Sequence, residues 1–353
     1  MHKIKKIQSK IKVLYVSDFS SSNYHFDHLL FAFKKNPFVK LNTLFSKTSS
    51  MSFIDKIAFK LKFERDKVNI NAILLQELAK HKYDVIFICK GTNILPKTLK
   101  QIFKLPLRPC LVSYSGDNMS KWHNKSLYYH FGLKYYDLIF SVNIPSYKKI
   151  EESYFGNGDI VYLDKSFSQY LHRPLSLKRK FFKFDVLFVG TFEKERMQFI
   201  NFIASCGIRV DVFGSYWEES KRYKLNPNLI LHYRELTGKE YVSAIFYAKI
   251  TLGFLRKINE DTQTSRSIEI PACGGFMLME RTAEHLRLFK EGLQAEFFST
   301  KEELLQKVNY YLEHSGLREN IARNGRRRCY LSKYSYDDNV NRILVKILQK
   351  VPL

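Results

Sequence analysis

Short apolar runs separated by segments of helical period, repeated from one end to the other, constrain this chain more than any other feature. Runs such as residues 84–89 and 185–190 are apolar without alternation, so both faces of each strand must be covered. Strands of that kind, each followed by a helix, form parallel sheets layered between helices. Predicted strands cover residues 12–17, 39–45, 84–89, 110–114, 137–142 and 160–163, then 185–189, 209–213, 229–232, 250–254, 276–279 and 295–298. Predicted helices include 24–35, 67–80, 96–103 and 146–155, then 194–205, 239–247, 265–273, 301–312 and 317–329.

At 353 residues the chain exceeds one comfortable core and suits two domains. Between residues 171 and 183 it turns to His-Arg-Pro and Lys/Arg without apolar period, which reads as a linker. The expected division is a first domain over 1–172, a linker over 173–183, a second domain over 184–330 and a closing amphipathic segment over 331–353.

Composition narrows the class. No apolar run approaches the roughly 18 residues that a spanning helix needs, and the basic N-terminus lacks the apolar core of a signal peptide. The five cysteines are odd in number and show no C-x-x-C, which points to a reducing compartment and away from a disulfide framework or a zinc site. The formal charge of +24, from 58 basic and 34 acidic residues, implies attraction to polyanions. The densest runs are Arg326-Arg327-Arg328 and Lys178-Arg179-Lys180, each by itself no more than a solvated face. No nucleic-acid recognition motif accompanies the charge, so no specific nucleic-acid partner is expected.

The richest block is Asn259 to Phe298. It contains Asn259-x-Asp261, Arg266-x-x-Glu269-Ile270, Ala272-Cys273-Gly274-Gly275, Glu280-Arg281-Thr282 and Leu288-Phe289-x-x-Gly292. This pattern resembles the donor-binding core of GT-B glycosyltransferases, in particular the CgeB-like group named after spore-maturation proteins. The Asp261-x7-Glu269 spacing is similar to that of the paired acids in retaining members, with Asp in the first place. The resemblance implies two Rossmann-like domains facing a central cleft, with the final helix packing back on the first domain. It implies sugar transfer from a nucleotide-sugar donor, with no cofactor beyond that substrate. Glu269 would hold the nucleotide ribose and Asp261 would lie near the donor sugar.

In open parallel sheets, ligands bind beyond the carboxyl ends of the strands. Gly190 ends a predicted strand, and Arg196 follows in the first turn of a helix, a position suited to phosphate. Tyr216, next to Trp217, offers a face for a nucleobase, although packing of both rings is an equal reading. Arg256, Lys257 and Arg266 are candidates to neutralise a leaving diphosphate without metal, since no Asp-x-Asp occurs in the chain. Gly274, Gly275 and Thr282 complete the donor-side set. Glu269 and Arg266 also stand at the i,i+3 spacing of a structural salt bridge. In the first half, His25 and Asp117 sit in loops after strands and are acid/base candidates, although a lone His or Asp in a turn is more often a cap.

Three readings follow. The first is a glycosyltransferase, retaining and metal-independent, acting on a glycan, lipid-linked or protein acceptor in polysaccharide biosynthesis. The second is a sugar-nucleotide epimerase of the same fold. The third is a non-enzymatic basic protein that binds nucleic acid or membrane. The expected location is the cytoplasm, with peripheral attraction to the anionic inner face of the membrane through residues 1–12 and 34–62.

Overall fold

The computed structural model describes residues 9–23, 27–48, 52–153, 156–175 and 181–351. His25, residues 178–180 and the first eight residues lie outside this set. The chain divides into two compact units. The first holds Met1–Asp164, Ile258–Asp261 and Tyr336–Leu353, and the second holds Lys165–Lys257 and Thr262–Ser335. His172, the last residue of the first domain in the expected division, belongs to the second unit.

The first unit is a parallel sheet of six strands: β1 (Ile11–Ser17), β2 (Val39–Phe45), β3 (Val85–Cys89), β4 (Cys110–Ser115), β5 (Leu138–Ser141) and β6 (Asp159–Tyr162). Their order is β2-β1-β3-β4-β5-β6. β3 is buried along its whole length, as its apolar run requires. One face of the sheet packs Val13, Tyr15, Phe87 and Phe140 against Val340, Ile343, Leu344 and Ile347 of the helix Tyr336–Lys350. The other face packs Leu14, Val16, Ile86 and Ile88 against Leu74 and Leu99.

The second unit repeats the architecture with β7 (Phe184–Val189), β8 (Val210–Phe213), β9 (Leu229–Leu231), β10 (Ala248–Gly253), β11 (Met277–Glu280) and β12 (Glu296–Phe298). All pairings are parallel, in the order β12-β11-β10-β7-β8-β9. Separate apolar clusters cover its two faces. In each unit the strand order reverses once, between β1 and β3 in the first and between β7 and β10 in the second. Loops at the carboxyl ends of those strands diverge there and leave room for a ligand.

Candidate active site

In the second unit glycines shape the strand ends beside the switch point. Gly190, just past β7, has room for no side chain, because an added Cβ would stand 2.6 Å from the Phe188 ring. Gly214, just past β8, has φ +150 and an added Cβ there would lie 1.9 Å from the Gly190 carbonyl oxygen. The two loops are therefore in backbone contact, clamped by the Trp217 indole N–H, which donates to the Gly190 carbonyl at 2.8 Å. Trp217 is buried against Phe188 and Phe192, so it packs and does not stack on a base. Tyr216, in the left-handed conformation, is left exposed.

Arg196 spans the switch. Its guanidinium donates to the Thr191 carbonyl at 2.9 Å and to the Leu255 carbonyl at 2.8 Å, and lies 3.1 Å from Glu193. It is buried, and that burial lowers its pKa to about 10, partly offset by Glu193 and reinforced by Arg266. Arg196 thus ties the loop after β7 to the loop after β10, with its Nε atom unpartnered. Arg256 and Lys257 follow on that second loop, both exposed. Lys257 reaches Glu280 at 3.0 Å, and Glu280 also accepts from the Leu255 amide.

The helix Arg266–Ala272 carries the motif acid. Glu269 accepts from the Tyr241 hydroxyl at 3.0 Å and lies 3.9 Å from the His172 ring. His172 is buried, its Nδ1 accepts from the Ser168 amide, and its ring meets Tyr241 edge-on. Arg266, one turn before Glu269, makes no ion pair with it among the described contacts, and its buried Nε has no partner. The helix ends in a Schellman turn: the Gly275 amide donates to the Ile270 carbonyl and the Gly274 amide to the Pro271 carbonyl. Gly274 takes φ +78, and a Cβ on Gly275 would strike Ile245 at 2.5 Å. The glycine pair therefore aims the helix back onto β11 and is not itself a side-chain contact to a ligand.

Thr282 caps the next helix, accepting from the His285 amide at 3.0 Å and donating to the Thr262 carbonyl at 2.9 Å. His285 is fully buried between Ser267 and the Glu280 carbonyl. Burial lowers its pKa to about 4, so it stays neutral.

Residues 196–345 match the family model described as glycosyl transferase-like. The fold is that of GT-B glycosyltransferases, and the family match lies mostly in the second unit. Solved structures agree on the architecture. Sucrose-phosphate synthase from Thermosynechococcus elongatus is similar at TM-score 0.66 and 11% identity, over 97% of this chain and 100% of that one. HepE from Anabaena, in complex with UDP and glucose, is similar at 0.62 and 12%, over 97% and 100%. A UDP-N-acetylglucosamine 2-epimerase from Listeria monocytogenes, described as putative, is similar at 0.60 and 12%, over 97% of both chains. No curated protein matches the chain in sequence.

The remaining motif residues lie in the first unit. Asp261 accepts from Asn143 at 3.0 Å, beyond the end of β5. Its neighbour Asn259 is buried: its carbonyl accepts from Asn118 at 3.0 Å and its side-chain oxygen from Asn124 at 3.2 Å. Asp261 and Glu269, read together in the sequence, therefore belong to different units. Asp117 pairs with Lys90 at 2.9 Å, and Lys90 also reaches Asp18 at 3.1 Å. These three charges lie past β4, β3 and β1 and line a cavity of about 420 Å³ with Lys47, Glu64 and Thr92. Desolvation opposes the charge on Lys90, and the two aspartates overcome it, raising its pKa.

His172, Tyr241, Asn118 and Asn143 were not legible as site residues. The Asn143–Asp261 and Asn118–Asn259 hydrogen bonds link segments more than a hundred residues apart, and His172 sits in a stretch without apolar period.

Proposed function

We propose that the enzyme transfers a sugar from a nucleotide-sugar donor, held by the second unit, to a glycan, lipid-linked or protein acceptor. The observation that carries this is Glu269, a partly exposed carboxylate oriented by the Tyr241 hydroxyl. A carboxylate so held accepts two ribose hydroxyls without rearrangement. Arg266, with a buried Nε that lacks a partner, stands one turn away on the same helix. With Arg256 and Lys257 it would offset charge on the leaving diphosphate, which makes the transfer metal-independent. Arg196 would act behind them by holding the two loops. Gly190, Gly274, Gly275 and Thr282 would shape the backbone around the donor, and Tyr216 would lie by the nucleobase.

Asp261 would stand near the donor sugar, supporting a retaining outcome, and Asp117 would face the acceptor. His25, outside the described residues, keeps its proposed acid/base role. The motif block supports placement in the CgeB-like group. HepE, similar in fold, is seen with UDP and glucose and with UDP-glucose, which supports a uridine donor here. The net charge of +24 supports a cytoplasmic enzyme held at the anionic inner face of the membrane.

The test is a panel of nucleoside diphosphates in a thermal-shift assay, followed by slow hydrolysis of the matching sugar nucleotides. One diphosphate should raise Tm and its sugar conjugate should be hydrolysed. No shift with any nucleotide sinks the reading. The fold likeness to an epimerase gives a second reading, separated by product: a C2-inverted sugar nucleotide in place of free sugar and diphosphate.

A further inference from the structure

One helix of the first unit is turned inside out. The helix Phe53–Lys60 is capped by Ser52 with a reciprocal bond to Asp55, and Asp55 is its one buried residue. That carboxylate is held by the Ser52 amide and hydroxyl at 2.7 Å and by Lys67 at 2.9 Å, and these partners, Ser52 first, lower its pKa. The apolar residues face outward instead. Phe53 is 77% exposed, Ile54 60%, Ile57 43% and, just past the helix, Leu61 63%. Spaced i, i+1, i+4 and i+8, they form a single stripe. Lys56 and Lys60 are exposed, and the one acid on the helix is turned inward.

The helix is joined to an exposed aromatic ring through the residue after Leu61. Lys62 lies over the Phe59 ring at 5.6 Å and over the Trp122 ring at 4.4 Å, and Trp122 is 69% exposed. Asp55, buried, and Phe59, 42% exposed, line the 420 Å³ cavity described above. The helix is therefore both an apolar outer surface and a wall of the polar cavity.

We propose that this helix and Trp122 seat the enzyme in the interface of an anionic lipid bilayer, with the stripe among the acyl-chain boundary and the lysines at the headgroups. Charge complementarity selects this occupant: apolar side chains flanked by lysine, with no exposed acid on the helix, on a chain of net charge +24. An exposed tryptophan joined to the helix through Lys62 fits the boundary, where an apolar ring and a polar N–H are both satisfied. The inference deepens the reading above and rests on it for one point: the cavity behind the helix would then meet the head of a lipid-linked acceptor whose lipid stays in the bilayer.

The test uses the full chain and vesicles of phosphatidylcholine with or without phosphatidylglycerol. The wild type should float with the anionic vesicles and not the neutral ones. The double variant Ile54→Asp with Ile57→Asp, both on exposed positions, should lose about tenfold or more of the bound fraction. Of the two tryptophans, Trp217 is buried, so a blue shift of emission on vesicle binding would come from Trp122 and vanish in Trp122→Phe. Equal flotation of wild type and double variant, or flotation of neither, overturns the proposal. So does a wild-type dimer that the double variant converts to monomer, which would assign the stripe to a second copy of the chain. Thermal shift by nucleoside diphosphate, measured without vesicles in both proteins, judges the donor reading separately: its loss in wild type sinks that reading and leaves the flotation result standing.

Discussion

The two sheets solve the same topological problem in opposite ways. At the β1/β3 switch of the first unit the space is filled by paired charges, Asp18, Lys90 and Asp117, around a cavity. Beside the β7/β10 switch of the second unit side chains are removed instead: Gly190 after β7 and Gly214 after β8 bring two backbones into contact, and across the switch Arg196 stitches the β7 and β10 loops through carbonyls. Over the whole cavity lining of the first arrangement, Asp18, Asp55, Glu64 and Asp117 are balanced by Lys47, Arg65, Lys67 and Lys90, so its charges already cancel. The second leaves Arg256 exposed and Arg266 with a buried Nε that lacks a partner. A neutral polyhydroxyl group suits the former, and a diphosphate suits the latter.

That contrast is breakable. The largest effect is expected from Gly214→Ala, since a Cβ 1.9 Å from a backbone oxygen cannot be relieved by a rotamer change. It should cost more than about 4 kcal/mol and abolish the folded second unit. Gly207→Ala, with φ +88 but nothing within 4 Å, should cost only about 1 kcal/mol. Denaturant melts of both compare the two; similar losses would mean that backbone conformation, not loop contact, governs.

Acid should act next, and on the second unit. His285 has its folded pKa lowered from 6.5 to about 4 by burial. The unfolded chain therefore takes up the proton first. The associated stability is complete above 6.5 and is lost as pH falls through 6.5 towards 4, by about 3 kcal/mol at the end. His285→Gln should flatten that part of the stability-pH curve; an unchanged curve assigns the acid sensitivity elsewhere.

Glu269→Ala should weaken donor binding by about 1.5–3 kcal/mol through loss of a charge-assisted contact. Asp261→Ala should lower turnover with donor affinity retained. Calorimetry with the diphosphate that shifts Tm, beside initial rates, separates them; equal donor affinity in wild type and Glu269→Ala would make that carboxylate structural.

In the first unit, Lys90→Met leaves Asp18 and Asp117 facing each other. A loss of about 1–2 kcal/mol is expected, reduced because the lysine side chain is 35% exposed. The same variant should leave nucleotide affinity alone, and a weakened nucleotide response would blur the division between the two switch points. The smallest effect is expected from EDTA: activity should persist, because guanidinium and ammonium groups carry the neutralisation. Loss on chelation with recovery in magnesium would shift that role to a metal.

Local pattern was strong evidence for the sheets. Each predicted strand appears within a residue or two of its expected bounds, because a run apolar on both faces has few other uses. The helix Phe53–Lys60 was not predicted. Its apolar residues face solvent, so period alone gives no inward face to find. Trp217 and Tyr216 were equivalent as neighbours in sequence, and packing on Phe188 and Phe192 buried one and left the other exposed.

The sequence by itself determined the layered parallel architecture, the glycine pair at 274 and 275, and the helix that carries Arg266 and Glu269. These depend on apolar period, positive φ and spacing along one helix, all local quantities. Only the tertiary structure decided what each polar group meets. It put Asp261 on Asn143 in one unit and Glu269 on Tyr241 in the other, turned Arg196 onto two carbonyls, and brought His172 out of an unpatterned stretch to face Glu269. The reason is that buried polar atoms must be paired wherever the fold brings a partner, and those partners here lie up to a hundred or more residues away in the chain.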